Sequence, residues 1–124
     1  MVSLSARPDC AERTGEAARD VAGTGLAVSL HHGREAVLAA IQRAGPDCVS
    51  TAFQSAQWLS ALFAEVLPVA AAHPILVEVK TPDGACVLLL PLVATRERGL
   101  DVLNVPSFGL SDYGGPILGP GAPA

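Results

Sequence analysis

Lysine is almost missing from this chain: of eight basic residues only Lys80 is a lysine. The arginines are scattered from Arg7 to Arg98, and the formal net charge is −4. A nucleic-acid backbone is thereby excluded as a partner, because such binding needs a basic face that releases counterions. Aromatics are scarce as well, with one Trp, one Tyr and three Phe, so a core must rest on Leu, Val and Ala. The three cysteines, Cys10, Cys48 and Cys86, are odd in number and far apart, with no C-x-x-C spacing. That pattern suggests neither a disulfide framework nor a zinc site, and reads as three reduced thiols in a cytosol. A metal site would have to draw on His31, His32 or His73, whereas ligands usually come in close pairs. His31 and His32 are adjacent and on a strand would face opposite ways. No basic n-region precedes an apolar stretch at the amino terminus, so no signal peptide is expected. The apolar stretch 61–79 is broken by Glu65, Pro68, His73, Pro74 and Glu78 and does not qualify as a membrane span. A soluble, cytoplasmic protein without a membrane partner is the expectation.

What is present is a chain of 124 residues, half of them hydrophobic. That is one domain, able to bury roughly two-thirds of its unfolded-chain surface. Its centre is the stretch Pro74 to Phe108, which reads as two strands joined at Pro82-Asp83-Gly84 and a third after Arg96-Glu97-Arg98-Gly99. The run Val87 to Val93 is the longest apolar one, and suits a strand buried on both faces. Pro91 in its middle donates no ladder bond and implies a bulge or an exposed edge. In the third strand Leu100, Val102 and either Leu103 or Val105 should face inward.

Residues 1–24 hold many charges and almost no large apolar residue, as in a disordered or weakly helical tail. Leu26 to Leu30 alternates as a first strand before the His-His-Gly break. From Arg34 to Ala44 the apolar residues Val37, Leu38, Ile41 and Ala44 recur at three- and four-residue steps, predicting an amphipathic helix. Gly45, in a left-handed cap, and Pro46 should stop it. Thr51-Ala52-Phe53-Gln54 has capping-box spacing, and Ser55 is an alternative cap a turn later. Either begins a helix whose stripe is Trp58, Leu59, Leu62, Phe63, Val66 and Leu67, with Pro68 at its end. Trp58 on such a stripe reads as core rather than as a ligand platform. Residues 119–124 read as a disordered Gly/Pro/Ala tail.

Beyond Pro106 the only polar focus is Ser111-Asp112-Tyr113-Gly114-Gly115. Asp112 could orient or deprotonate a substrate amine and Tyr113 could donate a proton; the plainer alternative is an Asx-type turn with the tyrosine over a sheet edge. Gly114 and Gly119 have the glycine gap of a P-loop, but Pro120-Gly121 stands where Lys and Ser/Thr are required. Ser107 and Ser111 lack a nucleophile elbow. Arg96 and Arg98 flank a turn as solvated charges.

The order strand, helix, helix, three-strand meander resembles the opening of the GNAT acyltransferase fold. Thr51-Ala52-Phe53-Gln54-Ser55 with Trp58-Leu59, then Leu89-Leu90-Pro91-Leu92, then Ser111-Asp112-Tyr113-Gly114-Gly115-Pro116, look like the signatures of the CelD/BcsL-type acetyltransferases. That branch is connected with cellulose biosynthesis and related to the FemAB-type aminoacyl transferases. The resemblance implies an α+β fold: a partial GNAT-like domain over 25–118, the incomplete first half of a tandem in which the second half holds acyl-CoA. A GNAT domain grips the CoA pyrophosphate through an Arg/Gln-x-x-Gly-x-Gly/Ala loop at a helix amino terminus. After Val105 this chain has Pro106-Ser107-Phe108-Gly109-Leu110 instead, so no cofactor-binding residue carries over. Acetyl-CoA, the family's donor, is not expected to bind this chain alone. Asp112 and Tyr113 are the acceptor-side nominees. The implied partner is a missing second GNAT-like half, or another copy through an unpaired sheet edge. The competing expectation is a non-catalytic interaction module that uses that edge.

Overall fold

Helix α1 (Arg34–Ala44) forms where the three- and four-residue apolar steps lie, and buries Val37, Ala40 and Ile41. Glu35 in its first turn and Arg43 in its last complement the helix dipole. These elements belong to a computed structural model that describes residues 19–21, 23–110 and 114–123. Gly45 does not take the left-handed cap expected of it: at φ −53° it stays right-handed. Pro46, whose ring suits the first position of a helical turn, carries the chain into a 3₁₀ turn, Gly45–Asp47.

The two candidate caps before the next helix are both used. Gln54 Oε1 accepts the Thr51 N–H at 2.8 Å, closing a 3₁₀ turn over Ala52–Gln54. Ser55 Oγ accepts the Trp58 N–H at 3.2 Å and caps α2 (Ala56–Glu65). Pro68 does not end this helix. The break falls at Val66, and Pro68 lies in the first turn of a short α3 (Leu67–Ala70), where its missing N–H costs nothing.

All strand pairings are antiparallel, in the order β1 (Arg19–Asp20), β2 (Ala27–His32), β3 (His73–Lys80), β4 (Cys86–Glu97), β5 (Leu100–Asn104). The two-residue β6 (Ile117–Leu118) also pairs with β4. The fold is therefore α+β, with a strand, two main helices and a three-strand meander at its centre. The β3–β4 turn is closed by Thr81: its N–H donates to Ala85 O at 2.8 Å, and its hydroxyl bonds Asp83. Arg98 (φ 52°) and Gly99 (φ 80°) make the β4–β5 turn, both residues left-handed as a tight two-residue hairpin requires.

Pro91 makes no bulge; the irregularity in register lies at Val79/Lys80. Proline is accommodated instead by a gap in the pairing along one side of β4, where it is buried rather than at the exposed edge expected of it. β4 pairs with β6 at Leu88 and Leu89 and with β5 from Val93 onward, so its outer edge is unpaired around Pro91. β4 is also not buried on both faces. Leu89, Pro91 and Val93 are buried, together with Pro74, Leu76 and Glu78 of β3, while Leu88, Leu90 and Leu92 are only half-buried. The reason is that the helices contribute to a single core: Val37, Ala40 and Ile41 of α1 and Leu59, Leu62 and Phe63 of α2 join Leu76, Leu89, Val93 and Ile117. Burying each Val, Leu, Ile or Phe side chain among them contributes roughly 1.5–3 kcal/mol. On β5 only Val102 is half-buried. Leu100 is 69% exposed, Leu103 59% and Val105 36%, contrary to the inward positions expected of them.

Two boundaries move. Arg19 and Asp20, assigned by the sequence to a tail, pair with Val28 and Ala27 as β1; residues 1–18 lie outside those described. Residues 119–123, also expected as tail, are fastened to the start of β4: Gly119 N donates to Val87 O at 2.9 Å and Gly121 N to Cys86 O at 2.8 Å. Backbone bonds hold this segment, which is why side-chain pattern did not reveal it. A Cβ at Gly119 would sit 2.2 Å from the Cys86 carbonyl oxygen, so only glycine fits there.

Candidate functional site

Asp112 and Tyr113, the residues nominated from the sequence, lie with Ser111 outside the described residues. The residues on either side of them are described. After β5 the chain turns through Ser107–Leu110, with Leu110 N donating to Ser107 O at 2.8 Å. Gly114 sits against Val105, so closely that a Cβ would lie 2.6 Å from a Val105 methyl. Gln54 holds the next two residues. Its Nε2 donates to Gly115 O at 3.0 Å and to Pro116 O at 3.3 Å, while its Oε1 is occupied by Thr51. Gln54 is only 8% exposed, and as a buried amide it is well satisfied. It therefore ties the cap of α2 to the loop stem. Phe53, Leu59, Pro91 and Pro106 complete a narrow cavity with Gln54 and Gly115, in the gap where β4 has no edge partner. Trp58 packs against the core, edge-on to Phe53 at 5.3 Å, as expected of a structural tryptophan. Its buried indole N–H has no partner among the described residues.

A second cluster escaped sequence reasoning. Strand alternation puts Glu78 on the same buried face as Leu76, and it is 5% exposed. A carboxylate so placed needs partners. His31, which pairs with Leu76 in the β2–β3 register, brings Nε2 to 3.0 Å from Glu78 Oε1, and Lys80 Nζ lies 3.8 Å from the same oxygen. The signal was present: Glu78 interrupts the apolar alternation of β3 at an inward position. Beside it opens a cleft of about 310 Å³ lined by Arg43, Asp47, Glu78, Lys80, Cys86 and Pro120. Cys48 and Cys86 both pack against the core, and Cys86 lines this cleft. Burial first, then Cys48 and Glu78, push the Cys86 thiol up to about 11, and burial raises Cys48 as well. The carboxylate and imidazole are hydrogen-bonded, while both thiols stay protonated near neutrality.

No family model, curated protein or solved structure matches this chain. The geometry therefore stands by itself. Among the described residues no group of three or more His, Cys, Asp or Glu could hold a metal ion. His31 is engaged by Glu78, and His73 is exposed at the start of β3. No described helix is long and apolar enough to cross a membrane. Residues 105–110 form tight turns, with Phe108 at φ 48° and Gly109 at φ 74°, and none of them begins a helix. Arg96, flanking the β4–β5 turn, meets Asp101 at 3.6 Å and donates to Gly99 O, a solvated surface arrangement.

Proposed function

We propose that this chain is the acceptor-side half of a GNAT-type N-acyltransferase of the CelD/BcsL kind, inactive until joined by a second half that holds the acyl-CoA. The observation that supports the reading is the order of elements, β2, α1, α2 and then the antiparallel meander β3–β4–β5. In the complete cytoplasmic enzyme an acceptor amine would attack the acetyl-CoA thioester carbonyl, with the oxyanion held by a strand amide. Asp112 would receive or orient the amine and Tyr113 would deliver a proton. Gln54 would set their loop by fixing the carbonyls of Gly115 and Pro116.

Calorimetric titration of the folded chain with acetyl-CoA tests the division of labour: no heat is expected, and saturable binding would overturn the half-domain reading. The acyltransferase assignment is tested separately by the genomic sequence downstream of Ala124. An in-frame continuation with a second set of helices and strands supports it; an unrelated neighbour after a stop counts against it.

One observation favours a second reading, a non-catalytic interaction module. Among the described residues β5 pairs only with β4, and its Leu100 and Leu103 side chains are exposed. An unpaired apolar edge is a template for another strand, in a partner or in a second copy. Sedimentation of the dilute chain as a stable monomer would remove the self-associating form of this reading.

A further inference from the structure

The core ends in a polar patch on the helix-covered side of the sheet. On β3, Glu78 and Lys80 follow the buried Leu76 at alternate positions, so all three point to that side. Register sets His31 of β2 opposite Leu76 and Cys86 of β4 opposite Lys80. Arg43 in the last turn of α1, and Asp47 just beyond it, form the other side of the cleft of about 310 Å³ described above.

Glu78 has one oxygen to spare. Its side chain is 7% exposed, and His31 Nε2 at 3.0 Å and Lys80 Nζ at 3.8 Å both meet Oε1. Oε2 has no hydrogen-bond partner among the described residues. The one fully buried side-chain polar atom without a partner among those residues is Trp58 Nε1, so Glu78 Oε2 is open to solvent, and the cleft that Glu78 lines provides the access. An almost buried carboxylate with an unpaired oxygen is a strong acceptor for an ammonium group. On the helix side, the exposed Arg43 guanidinium makes no ion pair among the described residues, and its fork suits a carboxylate. Arg43 and Lys80 balance Asp47 and Glu78, so the lining carries no net charge. That balance disfavours a ligand of one sign, such as a phosphate or a polyamine, and suits one that carries both signs a few bonds apart. The volume is at the lower end of ligand pockets, roughly 300–1,000 Å³, and Ala44, Ala85 and Pro120 add apolar wall.

We infer that this cleft binds a small zwitterion of the α-amino-acid class, with its ammonium on Glu78 Oε2, its carboxylate on Arg43 and a small uncharged side chain against the apolar wall. His31 is a positioning residue: by holding Oε1 it leaves Oε2 for the ligand. The site is made of β3, β4, the end of α1 and the segment after β6, and does not depend on the acyltransferase reading.

The test is titration of the isotope-labelled, folded full chain with L-alanine, followed through backbone amide shifts in NMR spectra. Saturable shifts are expected at Arg43, Lys80, Gly84, Ala85 and Cys86. Propionate and ethylamine each keep only one of the two charges, and should bind at least about tenfold more weakly because each forfeits a charge-assisted contact. Arg43→Gln should weaken alanine about tenfold and leave ethylamine unchanged, whereas Glu78→Gln, which keeps an acceptor for His31, should weaken both. No shifts at the cleft, propionate or ethylamine binding as tightly as alanine, or an alanine affinity indifferent to Arg43→Gln would each overturn the proposal. Arg43 is exposed, so its variant decides the matter even if Glu78→Gln does not fold.

Discussion

Strand β4 and strand β5 are neighbours in one sheet and comparably rich in leucine, but they live in different environments. Leu89 of β4 is fully buried, whereas Leu103 of β5 is 59% exposed. Neither hydrophobicity nor strand propensity separates the two residues. Cover does: α1 and α2 share a core with β3, β4 and Ile117, and no β5 residue belongs to it. An aliphatic side chain in a sheet is thus buried by what lies above it, and the sheet alone leaves it half wet.

Substitutions sharpen that contrast. Leu89→Ala should cost about 2–5 kcal/mol in urea unfolding, while Leu103→Ala should stay within about 0.5 kcal/mol. Comparable losses at both sites would mean that β5 is covered in solution. Next in size are two fastenings beside β4. Gly119→Ala drives a Cβ into the Cys86 carbonyl, and Gln54→Ala unpairs the Thr51 N–H and the Gly115 and Pro116 carbonyls. Each should lower stability by about 1–3 kcal/mol. Hydrogen exchange should rise locally, at 117–121 for the first and around Gly115 for the second.

A pH titration probes the cleft side of β4. The folded chain keeps the Cys86 proton up to about 11, while the unfolded chain releases it near 9.0. Because the native state binds more protons in that window, stability should fall from about pH 9 to about 11. Cys86→Ala should flatten this part of the profile, and an unchanged slope would reassign it to other groups. The smallest effect is expected on the β4–β5 hairpin: Asp101→Asn removes the exposed pair with Arg96 and should change stability by less than about 0.5 kcal/mol.

Much of this was legible from local pattern. The helix over Arg34–Ala44 matches its predicted limits, because its periodicity and its Gly-Pro stop are local. The turn at Pro82-Asp83-Gly84 and the caps at Thr51 and Ser55 were readable for the same reason. Pro91 signalled a missing edge partner, although two strands leaving a gap, rather than an outer edge, supply it. The cluster around Glu78 was not read. Its partners His31 and Cys86 come from other strands, and only register brings them near. The loop stem held by Gln54 was equally hidden, since a cap residue does not announce a second bond sixty positions away.

The sequence by itself determined α1, α2, the two hairpin turns and the strands of the meander, because each depends on residues within a few positions of one another. It also determined that β4 would tolerate a proline only where a ladder bond was absent. Tertiary structure decided which face of the sheet is buried, which leucines stay wet, that 119–123 docks, and that His31 meets Glu78. Those outcomes depend on strand order, register and helix cover, which sum contacts across the whole chain and leave no mark in any short window of it.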